Sequence, residues 1–114
     1  MAIQIGSGTE VLKRASTIAN AAGVKMIDGV ADHIYTILSI SAFNAHASTT
    51  ANITIYINPS AGTAVRLNNN FQIAAQNTFV WNEKTVMTGT DELVCECDVN
   101  AVHFWVSYID QDWT

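Results

Sequence analysis

Charge is what this sequence has least of. Charged residues make up 13% of the 114 positions, where a soluble domain usually carries about a quarter. The five bases are outnumbered by ten acids, leaving a net charge of −5. A nucleic-acid-binding surface needs clustered Lys and Arg, so no nucleic-acid partner is expected. No apolar run approaches the roughly 18 residues of a membrane span, and no membrane partner is expected. A charged leader followed by an apolar segment is also missing, so the chain is expected to be made and folded in a reducing cytoplasm. There is a single proline, Pro59, and only two cysteines, Cys95 and Cys97. On a strand, residues i and i+2 point the same way, with Cα atoms near the upper limit for a disulfide. Two buried thiols are therefore expected. A zinc site needs about four ligands at suitable spacing, and His33, His46 and His103 do not supply them. No G-x-S-x-G turn and no Gly-rich phosphate loop is present. The sequence offers no catalytic residue, no metal ligand set and no cofactor.

What is there is apolar and neutral-polar. Hydrophobic residues make up 49% of the chain, and twelve Thr, ten Asn and seven Ser supply most of the polarity. Such a composition excludes a disordered chain. At 12.4 kDa the folded chain should keep roughly 6,000 Å² of surface, enough for one core. A surface this poor in charge suits a protein that spends its life packed against partners.

The apolar pattern has a period of two. Ile34–Phe43 is rich in β-branched and aromatic residues and free of Gly and Pro, which predicts a long strand with Leu38, Ile40 and Ala42 inward. Ile53, Ile55 and Ile57 alternate with Thr54, Tyr56 and Asn58. Pro59 and Gly62 then predict a hairpin connection. Leu93, Cys95 and Cys97 share one face, with Glu92, Val94 and Glu96 on the other. Val102, Phe104, Val106 and Tyr108 alternate with His103, Trp105 and Ser107, and Asp110–Thr114 reads as a solvated acidic tail. Residues 10–22 are ambiguous. Val11, Ala15, Ile18 and Ala22 recur at helical spacing, yet Ser16-Thr17-Ile18 favours a strand, which is the reading adopted. Strands with turn signals every eight to twelve residues predict an all-β, single antiparallel β-sandwich, with a jelly roll as one form it could take. Residues 1–8 read as a short N-terminal arm and 9–114 as the sandwich domain.

Four residues stand out as interface candidates. Ile3 and Ile5 on the arm could add as a strand to a neighbour. Trp105 would face outward beside His103, and Trp113 is a lone indole on the tail; large aromatics of this kind anchor protein interfaces. Trp and Tyr also stack on sugars, so a glycan is the alternative partner. Asp110-x-Asp112 could contribute oxygen ligands to a calcium ion, but the rest of a binding loop is missing.

The segment from Ile34 to Ile109 resembles small β-sandwich structural proteins of tailed-bacteriophage virions. The resemblance rests on Ile37-Leu38-Ser39-Ile40-Ser41-Ala42-Phe43-Asn44, on Ile53-Thr54-Ile55-Tyr56-Ile57-Asn58-Pro59-Ser60-Ala61-Gly62-Thr63-Ala64, on Asp91-Glu92-Leu93, and on Asn100-Ala101-Val102-His103-Phe104-Trp105-Val106-Ser107-Tyr108-Ile109. It covers about two thirds of the chain; the usual Pro-Ala-Gly-like turn is replaced by Asp28-Gly29-Val30-Ala31-Asp32, and the N-terminal part matches least. The resemblance implies a virion structural protein without enzymatic activity: a capsid decoration (cement) protein, or a neck or tail accessory protein. Its partners would be the major capsid protein or other virion proteins, and copies of itself, with a homotrimer favoured.

Overall fold

The computed structural model describes residues 9–20 and 23–113. Among them there is no helix. Ten strands form: β1 (Thr9–Asn20), β2 (Val24–Asp28), β3 (His33–Asn44), β4 (Ala51–Asn58), β5 (Val65–Arg66), β6 (Phe71–Ile73), β7 (Thr78–Trp81), β8 (Thr85–Thr88), β9 (Glu92–Cys97) and β10 (Asn100–Asp112). One sheet runs β1-β10-β3-β7, with β8 also on β3; the other runs β2-β9-β4-β5, with β6 also on β4. Every pairing is antiparallel. The two sheets pack face to face, as the period-two pattern predicts. The expected arm, with Ile3 and Ile5, lies outside the described residues.

Alternation puts the core between the sheets. Ile37, Ile40, Ala42, Val102, Phe104 and Val106 project from the first sheet, and Ile53, Ile55, Leu93 and Cys95 from the second, each no more than 1% exposed. β6 and β7 are consecutive in sequence but belong to opposite sheets. The chain crosses over at Gln76, whose φ is 63°. Phe71 and Phe79 meet across this side of the sandwich, their ring centroids 4.7 Å apart.

Residues 9–20 form a strand because β10 offers a matching edge along their whole length, from Thr9 opposite Asp112 to Ala19 opposite Val102. Tertiary pairing outweighs the helical spacing of Val11, Ala15 and Ile18. The long strand β3 departs from its expected phase. Ile37 lies opposite Tyr108 and Ser39 opposite Ser107, so Leu38 is an extra residue in β3. This bulge switches the faces. Tyr35 and Ile37 point inward before it, and Ile40, Ala42 and Asn44 after it, while Leu38 is only half-buried. The inward placement expected for Leu38 is corrected on that ground.

Asn44 ends β3 fully buried with its amide satisfied. Its Nδ2 donates to the carbonyls of Thr49 at 2.7 Å and Ile73 at 3.0 Å, and its Oδ1 accepts from the His46 amide at 3.1 Å. The β2–β3 and β8–β9 turns are tied by the Gly29 N–H donating to the Asp91 carbonyl at 3.0 Å. The expected acidic tail is also corrected. β10 continues to Asp112, Asp110 is 6% exposed, and the Trp113 amide donates to the Asp32 carbonyl at 2.9 Å.

Candidate functional site

Among the described residues, five of the nine exposed large apolar side chains lie on the outer face of the first sheet. Register fixes three rows across it. Ile18, His103, Phe43 and Thr78 form one; Ser16, Trp105, Ser41 and Val80 the next. Beyond the bulge, Leu12, Ile109, Thr36 and Val86 form the third. Leu12 is 71% exposed, Val86 61%, Ile18 and Val80 55% each and Trp105 45%. Among the outward residues of these strands only Glu10 and Arg14 are charged. Large exposed apolar patches are a common feature of interaction surfaces.

Trp105 sits at the centre of that face. The Arg14 guanidinium lies over its ring, 4.8 Å from the centroid, a cation–π contact that covers part of the indole. His103 meets Phe43 edge-on at 6.0 Å. Between them is a shallow groove of about 400 Å³ lined by Ser16, Ile18, Ser41, Phe43, His103 and Trp105. Its lining contains one histidine and three hydroxyl residues, Thr17 included, but no carboxylate.

The outer face of the second sheet differs in kind. Lys25, Val94, Tyr56 and Arg66 form one row, with Asp28, Glu92 and Asn58 beside it and Glu96 opposite Thr54. Lys25 Nζ pairs with Glu92 Oε2 at 2.8 Å. That hydrogen bond and the attraction behind it hold the Glu92 carboxyl below its ordinary value and the Lys25 ammonium above its own. The strands of this face carry five charged residues, Lys25, Asp28, Arg66, Glu92 and Glu96, against Glu10 and Arg14 on the outer face of the first sheet.

A histidine and a carboxylate do meet, at the end of the sandwich. Asp110 of β10 accepts from Lys13 Nζ of β1 at 2.8 Å and lies 2.7 Å from His33 Nδ1 of β3. His33 Nε2 is 3.6 Å from Asp112, and Tyr35 stacks on the His33 ring at 5.8 Å. Burial pushes the Asp110 carboxyl up, but the bonds from Lys13 and His33 outweigh it and the net shift is downward. With both carboxylate oxygens engaged, the cluster ties three neighbouring strands together. Among the described residues no group of three or more His, Cys, Asp or Glu could hold a metal ion.

Of the four interface candidates, Trp105 lies on the apolar face and Trp113 is half-buried at the other end of β10. The Trp113 indole N–H is buried without a partner. Trp81 faces the core, opposite Ile40. Leu12, Val80 and Val86 were not singled out from the sequence. Each belongs to a short or ambiguous segment whose face only the cross-strand register decides.

No known family description and no curated protein matches this chain. Its fold is shared with solved structures at 13% identity. One is a chain in the acidic-stable capsid structure of the Helicobacter pylori bacteriophage KHP30, with a TM-score of 0.52 over 94% of each chain. Another is a chain of the Bacillus endospore appendages, described as disulfide-linked pili, with a TM-score of 0.52 over 98% of this chain and 95% of that one. At this identity the likeness concerns the fold.

Proposed function

We propose that this protein is a structural protein of a tailed-phage virion, and specifically a decoration (cement) protein of the head. The observation that carries this reading is the outer face of the β1-β10-β3-β7 sheet, where Leu12, Ile18, Val80, Val86 and Trp105 stand exposed with only two charges among them. The strand order supports it. A sheet of β1-β10-β3 with β7 and β8, over one of β2-β9-β4 with β5 and β6, fits a jelly roll, an architecture used by viral capsid domains and lectins. The fold likeness to a phage-capsid chain points the same way.

The mechanism is adhesion. A shell under internal pressure yields at the seams between capsomers. A rigid plate laid across a seam adds contact area, contributing about 25 cal/mol per Å² of apolar surface covered before association costs. Binding the intact shell in preference to the opened one then shifts the equilibrium toward the intact form. The partner is the major capsid protein or a neighbouring virion protein, no chemistry is performed, and the protein resides in the virion.

The disulfide linkage of the spore pili is not carried over to this chain. Cys95 and Cys97 are buried, both remain thiols, and burial pushes the Cys95 thiol up to about 12. A thiol held protonated between two sheets is a poor cross-linker. Stacking of a sugar on Trp105 is opposed by Arg14, which already lies over the ring.

The test is occupancy. Val80→Lys combined with Val86→Lys, both on the apolar face and away from β1, should lower the protein's copy number on purified particles about tenfold or more, the equivalent of about 1.4 kcal/mol per copy. Its isolated unfolding midpoint should stay close to that of the parent. Normal occupancy of the double variant would contradict the proposal.

A further inference from the structure

β1 is a long, uninterrupted edge. Among the described residues it pairs with β10 and with no other strand. Its twelve residues contain neither proline nor glycine, and its only register shift lies at the far end, between Ala19 and Asn20. At about 3.4 Å per residue it presents about 40 Å of backbone. The opposite edge of the same sheet is broken into β7 and β8, four residues each, and short edge strands are a usual guard against pairing. β1 lacks that guard. It also exposes Val11, Leu12 and Ile18.

We infer that β1 pairs antiparallel with β1 of a second copy of this chain, about a twofold axis at Leu12. The charges of the strand select this register. Glu10, Leu12 and Arg14 share the outer face of the sheet, in the rows of Gln111, Ile109 and Ser107. With Leu12 against the partner's Leu12, the seven residues Thr9–Ala15, about 24 Å of the edge, pair with the same stretch of the partner, Glu10 lying opposite the partner's Arg14 and Arg14 opposite the partner's Glu10. Val11 then meets the partner's Lys13, whose Nζ is held on the other face by Asp110 at 2.8 Å in each copy. Centring the axis on Arg14 would set two guanidinium groups face to face. Centring it on Ala15 would place them on the diagonal. Opposite charges across an antiparallel pair stabilise it and like charges oppose it. Both partners of the proposed pair are already displayed on this face. Glu10 Oε2 accepts from Gln111 Nε2 at 2.9 Å, and the Arg14 guanidinium rests on Trp105.

The most exposed large apolar side chain among the described residues, Leu12 at 71%, thereby lies beside its own symmetry mate on the outer face. The contact is isologous and closes as a dimer. It is a twofold association, unlike the homotrimer the sequence led us to expect. It joins two five-stranded sheets into one continuous sheet and doubles the apolar face. The inference stands on the edge strand alone, so it can fail while the virion proposal survives.

Light scattering on the full chain should give a dimer at about 100 µM. Glu10→Arg and Arg14→Glu should each weaken it about tenfold or more, and the two combined should restore it to within about threefold, because the swap rebuilds both ion pairs. Leu12→Cys should form a covalent dimer on oxidation, whereas Ile18→Cys, far from the axis, should not; the native cysteines are buried. A folded monomer at that concentration would overturn the inference. So would a trimer, or a dimer insensitive to either single charge reversal.

Discussion

Asp110 shows how one side chain can hold three strands. It is 6% exposed and reaches Lys13 on β1 and His33 on β3 from β10. Its folded carboxyl ionises below the ordinary aspartate value of about 3.9. The native state therefore binds fewer protons than the unfolded chain in that window, and stability falls as pH drops from about 4 through the folded value. Glu92 and Asp98 are held low too, by Lys25 and Asn52 respectively, and add to the same acid limb. Lys13 is shifted up by its bond to Asp110. Its contribution is full below the ordinary lysine value and is lost as pH rises from there through the raised value. Asp110→Asn should cost about 2 kcal/mol at neutral pH and make the acid limb of the stability profile shallower than in the parent. Urea unfolding at a series of pH values checks this, and parallel acid limbs would contradict it. The cluster was not legible beforehand. His33 and Asp110 are 77 residues apart, and the stretch holding Asp110 reads as solvent-facing unless β10 is known to continue. Trp105, by contrast, was legible, because strict alternation from Val102 to Val106 sets it outward.

At the scale of elements, turns lock the sandwich as much as strands do. Gly29 follows β2 where two turns touch. A Cβ added there would lie 2.1 Å from the Gly89 carbonyl oxygen and 2.3 Å from that of Asp91, both backbone atoms. Neither turn can yield without losing the Gly29–Asp91 hydrogen bond. Gly29→Ala should therefore cost about 2–3 kcal/mol, combining overpacking and the lost bond. Gly89 has φ 58° but open space around its missing side chain, so Gly89→Ala should cost only about 1 kcal/mol. Urea midpoints with unchanged slopes would establish the order; equal midpoints would refute the close-approach argument. Element types were legible where alternation was clean, as in β4, β9 and the first half of β10. The phase of β3 was not, because the bulge at Leu38 appears only in its register against β10 and interrupts an unbroken run of strand-forming residues. The identity of β1 was likewise settled by its partner strand.

At the scale of the molecule, the all-β sandwich was foreshadowed by period-two alternation and turn spacing, and packing against partners by the scarcity of charge. The partition of that scarcity was not. The outer face of the second sheet carries five charged strand residues and that of the first carries two, a division that exists only once ten strands are sorted into two sheets. The account rests on the apolar face being covered in use. Its most direct test is an electron cryomicroscopy reconstruction of the particle that carries this protein. The expected result is many symmetric copies on the head, lying across capsomer seams, with Leu12, Val80 and Trp105 turned toward the shell. A few copies on the tail, or copies seated through the face of Glu92 and Glu96, would contradict it.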